Sequence, residues 1–197
     1  EKALQYYGEA NSLYRRREYN KGIAEVTAKL SLICDSEEDY DLAQKYYEEC
    51  LDARKEMEDH TGQIIACVNL GNCLLKKQSW EEAKKYLEMA LELSEKFHDK
   101  ASVGEIYQLL GLIHMNFQEY TQAKACYEKV YNLYTQDQDN ISLPFVSCNL
   151  GHIYARLGDI DNAIKFYEQA LECYEKMGDW QHLASVYTNL GLLYSNR

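Results

Sequence analysis

Apolar residues in this chain recur at steps of three and four, the spacing that places them on one face of an α-helix. One stretch carries Leu70 and Leu74 and, after a polar break, Ala83, Leu87 and Leu91. Each such stretch therefore predicts two amphipathic helices joined by a short turn. The chain has only 1 Pro and 10 Gly, whereas strand-rich folds need more turn residues. The pattern predicts an all-α protein.

The same pattern returns every 40 residues, and four separate registers share that period. They are a Leu-Gly pair, an alanine, an aspartate and a large apolar residue: Leu70-Gly71, Leu110-Gly111, Leu150-Gly151 and Leu190-Gly191; Ala3, Ala43, Ala83, Ala123 and Ala163; Asp59, Asp99, Asp139 and Asp179; Tyr7, Tyr47, Leu87, Tyr127 and Tyr167. Such a period is typical of helical repeat proteins, whose units bury together a core that none could bury alone. We expect the glycine of the first helix and the alanine of the second to let two backbones approach closely.

The expected fold is a right-handed superhelical solenoid of antiparallel helix pairs, with about ten helices. First helices are predicted at 21–35, 61–76, 101–116, 141–156 and 181–196, and second helices at 3–17, 40–57, 80–97, 120–136 and 160–177. Residues 1–197 then form a single solenoid domain: the second helix of an upstream repeat in 1–20, full repeats in 21–60, 61–100, 101–140 and 141–180, and a further first helix in 181–197.

Capping residues support these helix starts. The hydroxyl of Ser79 can cap a backbone N–H while Glu82 reaches back to it, and the repeating aspartate is a good N-cap for the first helices. Pro144 falls in a first turn, where its missing N–H costs nothing. The counterparts of Ser79 are Asp39, Glu119 and Asp159.

Charge and composition exclude several classes of function. The formal net charge of −11 argues against nucleic acid as a partner, because phosphate backbones need clustered Lys and Arg. No apolar run approaches the roughly 18 to 20 residues that cross a bilayer, so no membrane insertion is expected. The 7 cysteines show neither a disulfide framework nor a CxxC zinc pair, which favours a reducing, cytoplasmic compartment. We predict no metal and no cofactor.

The strings NLGN at 69–72, NLGH at 149–152 and NLGL at 189–192 resemble tetratricopeptide repeats. The common period of that family is about 34 residues, so a period of 40 resembles the variant with longer helices found in kinesin light chains, in spindle-orientation adaptors and in bacterial peptide-sensing regulators. The resemblance implies a scaffold or adaptor that binds proteins or peptides. Ser31 departs from it, because the other units have glycine at that position.

Alignment of the repeats assigns most cysteines and tyrosines to the core. Cysteine behaves as a small buried hydrophobe, and tyrosine packs between helices; the residues so assigned are Cys34, Cys50, Cys73, Cys126, Cys173, Tyr47, Tyr127, Tyr154, Tyr167 and Tyr194. Cys67, Tyr107 and Tyr187 align with mixed residue types and are left open. His114 is expected to be a core histidine with one satisfied nitrogen.

Cys148, His152 and Arg156 stand four residues apart on one helical stripe, which raises the hypothesis of a cysteine nucleophile beside a base. Catalysis would also need an orienting group and an oxyanion site, and the sequence offers no candidate for either. We therefore predict that the chain is not an enzyme and keep Cys/His chemistry as a remote alternative.

The concave groove of a solenoid is lined by its first helices, and the stripe next to the Leu-Gly face supplies the candidate binding residues. These are Asn69, Asn72, Lys76, Asn116, Asn149, His152, Arg156, Asn189 and Asn196. Asparagine side chains offer a donor and an acceptor to the backbone of an extended peptide, although they can equally tie neighbouring helices together. In the resembling adaptors, matching asparagines contact ligand. A carboxylate clamp for chaperone tails is not expected, since Val68, Cys148 and Thr188 stand where that clamp would need cations.

The leading hypothesis is an interaction scaffold that holds a peptide or protein segment in its groove. The alternative is an architectural span of a longer solenoid, with binding at the convex face or the ends. The chain begins with a second helix and stops after a first helix, which leaves Leu4, Tyr7, Leu193 and Tyr194 without a capping repeat. We expect end-to-end self-association to cover those residues.

Overall fold

The computed structural model describes residues 2–136 and 141–195. Over those ranges the chain forms ten α-helices and no strand. The helices are α1 (Lys2–Arg16), α2 (Asn20–Ser36), α3 (Tyr40–Glu56), α4 (His60–Lys76), α5 (Trp80–Phe97), α6 (Val103–Asn116), α7 (Tyr120–Gln136), α8 (Leu143–Arg156), α9 (Ile160–Met177) and α10 (Trp180–Ser195). The predicted all-α repeat of helix pairs is confirmed, and the observed helix ends lie close to the predicted ones.

The helices group into two compact units, Glu1–Leu109 and Leu110–Arg197, and the division falls within α6. In the first unit each of α1 to α4 packs against the helix that follows it. In the second unit α7 packs on α8, α8 on α9 and α9 on α10, and α8 also touches α10. No helix in the described ranges combines the length and the apolar character needed to cross a membrane.

Aspartates cap several helices as predicted. Asp59 accepts a hydrogen bond from the backbone N–H of Gly62 at 3.0 Å, and Asp39, Asp159 and Asp179 accept equivalent bonds from Leu42, Asn162 and His182. The prediction for Ser79 was wrong, because its side chain makes no capping hydrogen bond. The backbone carbonyl of Ser79 instead accepts from the N–H of Ala83 at 3.0 Å.

Most of the helices end at a residue with left-handed backbone conformation (positive φ), and these residues recur every 20 positions. They are Glu18, Glu38, Glu58, Gln78, His98, Gln118, Gly158 and Gly178. The residue that follows each of them donates back across the last helical turn, as Ser79 N–H does to the carbonyl of Leu74 at 2.9 Å. Such a bond satisfies a carbonyl that the helix end leaves unpaired. Both turns of a repeat therefore have the same backbone conformation, although only two of the eight left-handed residues, Gly158 and Gly178, are glycines.

The glycine register makes room for a side chain rather than for a neighbouring backbone. A Cβ at Gly151 would lie 2.9 Å from Cδ1 of Tyr167, and a Cβ at Gly111 would lie 2.7 Å from Cε2 of Tyr127. Both tyrosines belong to the next helix, and both are almost fully buried. The expected close approach of backbones is thus corrected: each ring lies directly over a glycine. In the first unit a leucine side chain takes the place of the ring, because Leu87 lies over Gly71.

The first full repeat keeps this packing despite its serine. Ser31 is completely buried and donates to the carbonyl of Ala28 at 3.0 Å, and the facing Tyr47 is also buried. The small serine side chain therefore takes the place of glycine without opening the pair α2–α3.

Most of the core assignments are confirmed. Tyr47, Tyr127, Tyr154 and Tyr167 are buried, as are Cys34, Cys50, Cys73 and Cys126, while Cys173 is half-buried. Cys67 and Tyr107, which the alignment left open, are buried, and Tyr187 is 52% exposed. The assignment of Tyr194 to the core was wrong, because it is 53% exposed.

His114 agrees with its prediction. It is half-buried, and its Nδ1 lies 2.5 Å from Oε2 of Glu119. One ring nitrogen is therefore satisfied by a residue of the turn between α6 and α7.

Gly151→Ala should destabilise the protein by roughly 1 to 3 kcal/mol, because the added methyl overpacks against the ring of Tyr167. Gly191→Ala is the matched control, since nothing lies within 4 Å of a Cβ at that register position; there alanine should stabilise helix α10 by up to about 1 kcal/mol. Urea unfolding of both variants gives the comparison. Equal effects of the two substitutions would contradict the ring-over-glycine contact.

Substitution at the left-handed helix ends should change stability in opposite directions. Gln78→Gly removes the strain of a side chain at φ 61° and should stabilise by about 0.5 to 1 kcal/mol, whereas Gly158→Ala introduces that strain and should destabilise by a similar amount. The shift in urea midpoint measures both. A loss of stability with Gln78→Gly would show that the turn conformation is not strained.

Candidate functional site

A depression of about 280 Å³ opens between α8 and α10 in the second unit. Because α8 and α10 are successive first helices that touch each other, residues on one face of each can reach the same space. The depression is lined by Met115, Phe145, Cys148, Asn149, His152, Tyr174, His182, Ser185 and Asn189. Three of the predicted binding residues, Asn149, His152 and Asn189, therefore lie together.

The walls of this depression combine aromatic and polar groups. Tyr174 reaches it from α9 and is buried, and the imidazole of His182 stacks on the tyrosine ring at 5.0 Å with the planes inclined by 14°. His182 is held there by Asp179, whose Oδ2 lies 2.7 Å from Nδ1. Phe145, one turn before Asn149 on α8, is 49% exposed. The site thus offers a fixed aromatic wall and an accessible ring.

Asn149 carries an amide group that lacks an internal partner. Its Nδ2 atom is buried and makes no hydrogen bond within the described part of the chain. An unpaired buried donor costs roughly 1 to 3 kcal/mol, and a ligand that supplies an acceptor recovers that free energy. Asn189, half-buried on the opposite wall, adds a second amide to the same depression.

The electrostatics of Cys148 and His152 disfavour nucleophilic chemistry. Burial raises the pKa of the Cys148 thiol to about 11, so the thiol stays protonated near neutral pH. Burial, and secondly the charge of Arg156, lower the pKa of His152. A reactive cysteine needs surroundings that stabilise its thiolate, whereas Cys148 packs against the apolar core around Tyr167 and Leu190. The pair is therefore a protonated thiol beside a neutral imidazole.

The remaining predicted residues lie elsewhere. Lys76 forms an ion pair with Asp35, which ties α4 to α2, and this contact favours a structural role for the lysine. Asn69 is half-buried and Asn72 exposed on the same helix, while Asn116 and Arg156 are exposed at the ends of α6 and α8. Asn196 lies outside the described residues.

Sequence reasoning missed Phe145, Tyr174, His182 and Ser185. Phe145 precedes Asn149 by four residues, so helical spacing could have placed it on the same face. His182 and Ser185 stand seven and four residues before Asn189 and follow the same rule. Tyr174 comes from a second helix, and no spacing within one helix could have indicated it. Among the described residues, no group of His, Cys, Asp or Glu is arranged to hold a metal ion.

Comparison with protein families gives one consistent result. A family model described as tetratricopeptide repeat matches residues 64–136 and 144–197, and a second model of the same description matches 24–57. These matches cover both compact units. No curated protein sequence matches the chain.

Solved structures resemble the fold over most of its length. BtubC (BKLC) from P. vanneervenii is similar with a TM-score of 0.80 and 20% identity, over 98% of this chain and 82% of that one. A variant of the nearly identical TPR-like repeats of a putative kinesin light chain from Podosopora anserina has a TM-score of 0.71 at 15% identity, over 85% and 86%. YrrB, described as a TPR protein with an unusual peptide-binding site, has a TM-score of 0.67 at 17% identity, over 96% and 82%.

The lowered pKa of His152 predicts a pH-dependent loss of stability. In the unfolded chain an imidazole takes up a proton near pH 6.5, whereas in the folded protein His152 does so only at lower pH. The free energy of unfolding is therefore highest above about pH 6.5. It decreases as the pH falls from there through the pKa of His152 in the folded protein. His152→Gln should reduce this acid destabilisation in urea unfolding between pH 7 and 5.

His98→Gln is the control, because His98 is exposed and lies in the first unit. It tests whether loss of His152 in particular, and not of any histidine, changes the pH dependence. If both variants follow the wild-type curve, His152 is not held in a proton-excluding environment.

Proposed function

The chain belongs to the tetratricopeptide repeat family, and we propose that it is an interaction module that binds an extended segment of a partner protein along α8 and α10. The observation that carries the proposal is the unpaired amide of Asn149 in a depression that Asn189 also lines. An asparagine side chain matches the donor and acceptor of a peptide bond. A peptide backbone is therefore a ligand that both amides can hold.

The chemistry of the depression supports a peptide with an apolar side chain. Its volume of about 280 Å³ accommodates one such side chain, and Phe145 and Tyr174 supply apolar surface on two sides. Burial of an apolar side chain contributes roughly 1.5 to 3 kcal/mol, and amide pairing to the backbone fixes its orientation. We propose that Asn149 donates to a backbone carbonyl of the ligand while one ligand side chain enters between the two aromatic rings.

Structural likeness points in the same direction. YrrB, which shares the fold, is described as having a peptide-binding site, and first helices are the usual binding wall of such repeats. Arg156, exposed at the end of α8, would then meet a segment that continues past His152, and its charge favours a carboxylate there. Asn69 and Asn72 offer a comparable amide pair on α4 of the first unit.

Binding rather than catalysis is the function that the Cys148 environment supports. A thiol with a pKa of about 11 is a poor nucleophile at neutral pH, so we assign Cys148 to packing at the edge of the depression. All seven cysteines are free thiols. This is compatible with a reducing compartment, and we propose that the module works as a cytoplasmic adaptor.

Asn149→Ala should weaken peptide binding by about tenfold, or about 1.4 kcal/mol, without lowering the melting temperature. The physical reason is that the amide has no internal partner to lose. Ligands can be selected from a random peptide library on phage, and their affinities for wild type, Asn149→Ala and Asn189→Ala measured by calorimetry.

Asn132→Ala is the matched control, since Asn132 is exposed on α7. It should bind every selected peptide as tightly as the wild type. An Asn149→Ala protein that melts several degrees lower and binds the peptides unchanged would show that the asparagine ties helices together, and the proposal would fail.

A further inference from the structure

A second cavity, of about 200 Å³, lies in the first unit where the end of α5 meets the start of α6. Its walls include Leu91, Ser94, Glu95, Asp99, Val103 and Tyr107. None of these residues belongs to the α8–α10 site. The cavity is therefore a separate feature of the chain.

Comparison of the repeats explains why space is left here. The counterparts of Ser94 at intervals of 40 are Tyr14, Arg54, Tyr134 and Tyr174. Tyr174 is buried in its own helix pair with His182 stacked on it, and Tyr14 packs against Tyr19 with ring centroids 5.5 Å apart. A planar side chain thus packs at this position in the repeats of Tyr14 and Tyr174, whereas the small serine leaves the space open.

Ser94 also leaves a polar group without a partner. The residue is 1% exposed, and its Oγ makes no hydrogen bond within the described part of the chain. A buried hydroxyl is normally paired, and each exception calls for an explanation. Here the hydroxyl borders the space that a tyrosine ring occupies in other repeats.

We propose that this cavity binds a phenol ring, the side-chain group of tyrosine, and that the phenol hydroxyl bonds to Oγ of Ser94. An apolar cavity of about 150 Å³ is large enough to take up benzene, so a volume of about 200 Å³ accommodates the ring. Leu91, Val103 and Tyr107 provide apolar walls. The ligand would restore the packing that a covalently attached tyrosine provides elsewhere in the chain.

A guanidinium group is the competing occupant, because Arg54 fills the equivalent position in the preceding repeat. That side chain is held by Asp59, with Nη1 and Oδ2 3.1 Å apart. The counterpart of Asp59 is already engaged: Asp99 Oδ1 accepts from the N–H of Ala101 at 3.0 Å, and Oδ2 accepts from the hydroxyl of Ser102 at 3.4 Å. Asp99 therefore offers a guanidinium fewer free lone pairs than Asp59 does, which favours the neutral phenol ring over an arginine-like contact at this carboxylate.

The probe is 4-methylphenol, titrated into the whole chain and followed by ¹H–¹⁵N NMR. We expect saturable shifts around Ser94 and Val103 in the wild type. Ser94→Tyr should fill the cavity from within, raise the melting temperature by a few degrees and weaken binding by more than about tenfold. Ser12→Tyr, which adds the same ring on the exposed side of α1, should bind like the wild type.

Ser94→Ala separates the hydroxyl from the cavity, because it keeps the space and removes the polar atom. It should bind toluene as the wild type does and 4-methylphenol several-fold more weakly. Binding of N-acetyltyrosine amide together with 4-methylphenol supports a tyrosine on a partner protein as the source of the ring. Binding of the free phenol alone supports a small phenolic ligand.

The proposal is overturned by any of three results. They are an absence of saturable shifts, binding that Ser94→Tyr leaves intact in a folded protein, or tighter binding of propylguanidinium than of 4-methylphenol. Because the titration follows the α5–α6 cavity alone, its outcome is independent of the peptide experiment on α8 and α10.

Discussion

The contact of a large side chain over a small residue in the preceding helix sets the geometry of each helix pair. Tyr167 over Gly151 and Tyr127 over Gly111 leave no room for a Cβ at either glycine. A ring in this position fills the space that the missing side chain vacates, so both helices bury an apolar face at close range. Ser31 shows that only a small side chain is accommodated at this position, since the first full repeat has serine in place of glycine and buries it completely.

This contact fixes the rotation of each first helix and so decides which residues face away from the core. Once Gly151 lies against Tyr167, the residues one helical step away, Asn149 and His152, turn toward α10 and the α8–α10 depression. The same packing buries Cys148 against the neighbouring core, which is why its thiol pKa rises to about 11. The position of Asn149 and His152 in the depression and the raised pKa of the Cys148 thiol therefore have one structural cause.

Residues that depart from the repeat pattern create contacts and cavities that the other repeats lack. Ser94 stands where the other repeats have Tyr or Arg, and the result is a cavity with an unpaired hydroxyl. Lys76 and Asp35 link the first helices of two repeats, and this ion pair has no counterpart at Arg156, for which no ion pair is found among the described residues. A repeat protein can vary such positions freely, because the contacts of a large side chain over a small residue, which hold each pair, are made elsewhere on the helix.

The sequence by itself determined the helices, their pairing and most of the core. The reason is that a period of 40 with helical spacing leaves one consistent set of buried positions, including Tyr47, Tyr127 and Tyr167. It also placed Asn149, His152 and Asn189 on one face of the first helices, since that face follows from the same spacing. Only the tertiary structure decided that glycine accommodates a ring instead of a backbone, that left-handed turns recur without glycine, and that Tyr174 and His182 complete the α8–α10 site. Those features depend on contacts between residues of different helices or on the conformation of a single residue, and neither leaves a period in the sequence.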